Sequence, residues 1–192
     1  MPASEQKRKT PVLYVFFGMI ATGKSTLARK WARHKKLHAY NSDWVRKELA
    51  GINPSESRRL TIDEGIYSRE FSRKTYEALR EKAEELLQRG NSVVLDASYQ
   101  YARDRQELRA LAKKCNCQVF FILCQCPEEE MKRRMEAREQ DPAAISDGRW
   151  EIYLKQKKRF EPPDELGARE LISIDTQAPL AALLEKLAGK LP

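Results

Sequence analysis

Val12 to Phe17 reads Val-Leu-Tyr-Val-Phe-Phe, an unbroken β-branched and aromatic run between Pro11 and Gly18. Apolar residues without polar alternation predict a strand buried on both faces, the habit of a parallel sheet. Similar runs occupy Ser92 to Leu95, Val119 to Cys124 and Leu171 to Ile174, with a weaker one at His38 to Tyr40. Between them lie helical patterns, at Ser25 to Arg33, Asp43 to Leu49, Ile62 to Gln88, Ala102 to Lys114, Pro127 to Arg138, Trp150 to Arg159 and Pro179 to Leu191. Arg89-Gly90 stops the third of these, and Pro127 and Pro179 suit first-turn positions. Strands alternating with helices predict a doubly wound α/β sheet, with no internal repeat.

The chain has 192 residues, 41% of them apolar and 33% charged, which fits one soluble domain and excludes disordered, collagen-like and disulfide-scaffold classes. Residues 1 to 10 read as a flexible basic tail and 11 to 192 as the domain. Lys7, Arg8 and Lys9 before the apolar stretch Val12 to Ala21 imitate a secretion signal. That stretch is too short to span a bilayer and runs directly into Gly-Lys-Ser-Thr, so no membrane role is expected. Cys115 with Cys117 and Cys124 with Cys126 form two Cys-x-Cys pairs. Metal knuckles use Cys-x-x-Cys in turns, and the second pair ends a strand, so the four read as packing residues of a reduced, cytoplasmic protein.

Gly18-Met19-Ile20-Ala21-Thr22-Gly23-Lys24-Ser25 fits Gly-x-x-x-x-Gly-Lys-Ser/Thr, placed between a strand and a helix as that pattern requires. Its backbone amides, with Thr26 beyond, are expected to cradle the phosphates of ATP. Lys24 would reach the β and γ oxygens and Ser25 would offer its hydroxyl to Mg²⁺. Charge agrees with an anionic partner. The net charge is +8, and residues 24 to 50 hold Lys24, Arg29, Lys30, Arg33, Lys35, Lys36, Arg46 and Lys47 against only Asp43 and Glu48. A solvated helix face would read the same way, and the sign alone does not separate nucleotide from nucleic acid.

At this length a small kinase is favoured, and a kinase needs groups that hold its acceptor. Asp43 is the candidate base, and Arg46, three residues on, would share its helix face. Asp96 ends the strand at Val93-Val94-Leu95, where α/β sheets present ligand contacts, and is expected to order Mg²⁺ or to orient Arg46 or the acceptor. Tyr99 and Tyr101 are expected to line the acceptor pocket. Trp31, Trp44 and Trp150 read as packing groups. Arg134 and Arg138 lie one turn apart before the aperiodic stretch Glu139 to Gly148, read as a flap, and are expected to close over the γ-phosphate. Pairing of this arginine group, Arg133 included, with Glu128, Glu129, Glu130 and Glu136 is the competing reading. Adenine contacts are placed near Thr176 and Gln177.

Taken together, the strings 18–26, 42–51, 93–98, 134–138 and 146–163 resemble the small P-loop kinase-like proteins grouped with polynucleotide 5′-hydroxyl kinases and zeta toxins. The nearest likeness is the kinase domain that stands fused to aminoglycoside-phosphotransferase-like domains. This resemblance implies a three-layer P-loop fold with a five-stranded parallel sheet of order 2-3-1-4-5 and a helical lid near residues 134–150. It also implies Asp43 as base, Arg46 as acceptor contact, and Arg134 and Arg138 as lid residues. Asp96 is followed by Ala-Ser where polynucleotide kinases often carry Thr-Asn. The function expected is phosphotransfer from ATP to a hydroxyl of a small molecule, with polynucleotide kinase and regulatory ATPase as alternatives. The acceptor and the oligomeric state are not legible.

Overall fold

Every second residue of Val12–Phe17 faces the same side, and both sides are apolar, so this strand needs cover above and below. The computed structural model, which describes residues 10–53, 66, 68–139 and 150–192 (138 and 139 by backbone only), supplies it. The strands are β1 (Val12–Phe17), β2 (His38–Asn41), β3 (Val93–Asp96), β4 (Gln118–Gln125) and β5 (Leu171–Asp175). They form one parallel sheet of order β2-β3-β1-β4-β5. The helices are α1 (Lys24–Lys35), α2 (Ser42–Leu49), α3 (Arg69–Gln88), α4 (Ala102–Lys114), α5 (Glu128–Glu139), α6 (Trp150–Arg159) and α7 (Leu180–Ala188).

Leu13, Val15 and Phe17 pack with Leu95 and Phe121 against Leu79, Ala83 and Leu87 of α3 and Leu108 and Leu111 of α4. The alternate set, Tyr14 and Phe16 with Val94, Ile122 and Ile174, packs against Leu27 and Trp31 of α1 and Leu183 and Leu187 of α7. Three layers result. A third cluster, Ile20, Ala21, Met131, Met135 and Tyr153, joins the loop after β1 to α5 and α6.

The five expected strands are present, each within about two residues of its reading at either end. The third helix starts at Arg69, not Ile62, because Ser68 in extended backbone accepts the Phe71 N–H and caps it; positions 62–65 lie outside the described residues. Pro127 and Pro179 each stand one place before their helix, where their carbonyls receive the first helical bonds from Met131 and Leu183.

One buried charge holds several segments together. Arg105 is fully buried on α4 and donates to Glu165 at 2.5 and 3.1 Å. It also donates to the carbonyls of Tyr99, Glu161 and Pro162, with its guanidinium 5.7 Å from the Phe17 ring. Removing one member of a buried ion pair leaves the other charge without compensation. Arg105→Ala is therefore expected to lower unfolding free energy by about 3–5 kcal/mol, measured by urea denaturation. A loss below about 1 kcal/mol, the scale of a surface pair, would show that the cluster is not a structural anchor.

Candidate active site

Strand order places the site. The chain leaves β1 between β3 and β4, and the crevice above the carboxyl ends of strands at such a reversal is where open α/β sheets bind ligands. Gly18 to Gly23 fills it with left-handed turns: φ is +138° at Gly18, +61° at Ala21 and +81° at Gly23. A Cβ at Gly18 would strike the Cys124 carbonyl, and one at Gly23 would press on the Arg134 guanidinium at 3.1 Å. Thr22 closes the turn by donating to the Met19 carbonyl at 2.8 Å, and Gly23 hands over to α1 at Lys24. Lys24 Nζ lies 3.5 Å from the same carbonyl. Ser25 follows in the first turn, with half-buried side-chain surroundings, and Thr26 is exposed.

Asp96 is opposite Phe16 in the sheet register and 3% exposed. Burial pushes its carboxyl above the usual aspartate range, while the Lys24 ammonium, the Ser25 hydroxyl and the Asn41 amide oppose the shift and the Asp43 charge adds to it. One oxygen accepts from Asn41 Nδ2 at 2.6 Å. The other, Oδ1, is buried and accepts no hydrogen bond among the described residues. A buried orphan oxygen beside a lysine and a serine hydroxyl fits a hydrated Mg²⁺, a hard cation that takes oxygen ligands and waters. Ser25 and Asp96 are the residues that would hold it.

Asn41 is the piece the sequence reading missed. Its Oδ1 accepts the N–H groups of Asp43 (2.9 Å) and Trp44 (3.2 Å), so it, and not Ser42 or Asp43, caps α2. Its Nδ2 holds Asp96, so one side chain fixes the start of α2 against the end of β3. Asn before Ser-Asp and an amphipathic helix is the signal that could have found it. Asp43 stands half-buried in that first turn, near enough to Asp96 for their charges to interact.

Other expected residues sit elsewhere. Arg46 is buried and donates to the Ile66 carbonyl at 2.6 Å and Ser72 Oγ at 3.1 Å, tying α2 to the start of α3. Tyr99 does not line an open pocket: it is 1% exposed, has φ +39°, and stacks on Tyr76 at 5.0 Å within the core. Tyr101 precedes α4 as its half-buried N-cap. Trp31 is buried in the core and Trp150 stacks on Tyr153 at 4.7 Å, whereas Trp44, beside Asp43, is 53% exposed and so is not a packing group.

Arg134 reaches behind the glycine loop. It donates to the carbonyl and hydroxyl of Thr176 (2.9 and 3.0 Å), to the Ala21 carbonyl (3.4 Å) and to Glu130. Arg133 pairs with Glu130 as well, which matches the competing reading for part of this helix. Arg138 lies on α5 with its side chain outside the described residues; of the stretch Glu139 to Gly148 read as a flap, Glu139 is the last residue of α5 and positions 140–148 lie outside the described residues. Arg134 and Thr176 border a cavity of about 230 Å³ floored by Leu27, Leu180 and Leu183 and walled by Gly23 and Thr26. Gln177 is exposed in the following turn and does not line it. The four thiols are free; burial pushes Cys117 up to about 11 and Cys124 higher still.

Residues 13–163 match the family model of an AAA domain. An uncharacterized protein of Mycobacterium tuberculosis is 31% identical over 121 residues, 63% of this chain and 24% of that protein. The matched span is thus about a quarter of the length of that curated relative. Among solved structures, a Chloroflexus aurantiacus protein of proposed kinase function aligns with a TM-score of 0.71 at 20% identity, covering 96% of this chain and 100% of that one. The Mycobacterium tuberculosis APS kinase CysC, in complex with AMPPNP and APS, aligns with a TM-score of 0.66 at 16% identity, covering 95% and 97%. Likeness at this identity establishes the fold, that of the P-loop kinases with sheet order 2-3-1-4-5.

Proposed function

The chain belongs to the AAA domain family, and from that premise we propose that it is an ATP- and Mg²⁺-dependent kinase that phosphorylates a hydroxyl of a small-molecule acceptor. The observation that carries the reading is Asp96 Oδ1, buried and without a hydrogen-bond partner among the described residues, where Lys24, Ser25 and Asp43 all act on its carboxylate. In this reading the loop from Gly18 to Thr26 binds the phosphates. Mg²⁺, when bound, would neutralise phosphate charge. Lys24 stabilises charge on the γ-phosphate, and Asp43 takes the acceptor proton. Thr176 and Arg134 border the adenine site, a change from the γ-phosphate role expected for Arg134, and Arg138 keeps the lid role. Arg46 positions α2 on the acceptor side.

Residues 11–192 form the proposed catalytic domain, with a lid near 134–150. Among the described residues no helix is long and apolar enough to cross a membrane, and a cytoplasmic location is part of the proposal. So is kinship with polynucleotide kinases, zeta toxins and the kinase domains fused to aminoglycoside-phosphotransferase-like domains. A match to 24% of a relative's length leaves room there for such a partner. The exposed indole of Trp44 beside Asp43 favours one second reading, a 5′-hydroxyl polynucleotide acceptor whose base would stack on it.

The test is transfer of radiolabelled γ-phosphate from ATP with Mg²⁺ to 5′-hydroxyl oligonucleotides and to pooled nucleosides, sugars and aminoglycosides. Label on one small molecule is the expected result. Label on the oligonucleotide would favour the second reading, and free phosphate alone, whatever the acceptor, would point to a regulatory ATPase.

A further inference from the structure

The segment from α6 to Glu165 has no role in the chemistry above, yet it touches the phosphate loop directly. Gln156 Oε1 accepts the Ile20 N–H at 2.8 Å across 136 residues of sequence. The rest of the segment is tied down at several points. Phe160 stacks on Phe17 at 6.4 Å, directly before Gly18. Glu161 bonds through its N–H to the Gln100 carbonyl and through its carboxylate to the Ala102 N–H. Arg105 grips the carbonyls of Glu161 and Pro162 and the carboxylate of Glu165. Gln156 therefore projects from a fixed base.

The residue after Ile20 gives that contact its meaning. Ala21 holds φ at +61°, a conformation disfavoured for any residue with a Cβ and retained only where neighbours enforce it. Two bonds bracket it, Thr22 to the Met19 carbonyl and Ile20 to Gln156. We propose that Gln156 is a positioning residue for the phosphate loop, and that residues 156–165 are the strap that holds it there. By accepting the Ile20 N–H, Gln156 keeps Ala21 in the left-handed turn and so aligns the amides that follow with a polyphosphate. The inference rests on the kinase reading for its ligand. It assigns Gln156 to affinity for the phosphates and not for the base, whose cavity lies on the far side of Gly23 beside Thr176.

Gln156→Met keeps the length of the side chain and removes the acceptor. A donor left without its partner corresponds to about a tenfold loss, so affinity for a non-hydrolysable ATP analogue should fall by that factor. Affinity for adenosine should stay within about twofold, since the base cavity gains and loses no contact. A general loosening of the fold would weaken both ligands together. Amide exchange at Ile20 in the nucleotide-free protein, followed by NMR, reads the contact without any ligand. It should accelerate at least about tenfold in Gln156→Met and keep its protection in Gln156→Glu, whose carboxylate still accepts the N–H. Equal loss of ATP analogue and adenosine, or Ile20 exchange indifferent to Gln156→Met, overturns the proposal. Wild-type protein that binds no ATP analogue would sink the kinase reading, and the exchange measurement would still decide the strap.

Discussion

Lys24→Ala is expected to lower phosphoryl transfer by about a thousandfold or more, the scale of losing a preorganised group aimed at transition-state charge. Lys24 opens α1 directly after the left-handed Gly23, at the end of the loop proposed to hold the phosphates. Its ammonium lies 3.5 Å from the Met19 carbonyl and acts on Asp96. Phosphoryl transfer spreads charge over the γ oxygens, and little else in the loop carries a full positive charge to meet it. The side chain is only half-buried and belongs to none of the three core clusters, so the variant should fold normally. Melting near the wild-type temperature with transfer lost is the expected pair of results. Retention of a near wild-type rate would remove the kinase assignment.

Asp43→Asn should spare ATP affinity and slow transfer by about a hundred- to ten-thousandfold, the usual contribution of a general base. The substitution is nearly isosteric, and the α2 cap survives it because Asn41 bonds the Asp43 N–H and not its carboxylate. The variant therefore removes a proton acceptor and leaves the frame. If ATP affinity falls instead, Asp43 belongs beside Asp96 at the metal, and the acceptor base must be sought elsewhere.

The sheet was legible because its evidence is local. Val12–Phe17 is buried along its whole length and reads as one apolar run; β3, covered on both faces in the same way, reads alike. The weak reading of β2 also has a cause, since this edge strand leaves the adjacent residues His38 and Ala39 exposed, so it carries no apolar run. The glycine loop was legible for a similar reason: Gly18 and Gly23 are demanded by backbone geometry at two nearby positions, and that demand writes itself into the sequence.

Partnerships across the chain were not legible. One-turn spacing groups Arg134 with Arg138, but Arg134 turns to Thr176, 42 residues away, and no periodicity records such a contact. Closeness to Asp96 in the chain suggests an acceptor contact for Tyr99. The left-handed turn at Tyr99 carries it instead into the core against Tyr76. The spacing of Arg46 from Asp43 suggests a shared helix face, whereas its bonds to Ile66 and Ser72 depend on where α3 begins.

The sequence by itself determined the elements, their parallel pairing and the position of the glycine loop. Strand burial, helix spacing and glycine backbone freedom all act within a few residues. Tertiary structure alone decided that Asn41 would join Asp96 across 55 positions, that Arg105 would bind the 161–165 segment, and that Gln156 would hold Ile20. Those choices follow from packing helices on a sheet: a side chain's partner is set by the crossing of two distant segments, and a polar group that the crossing buries must find its hydrogen bond there.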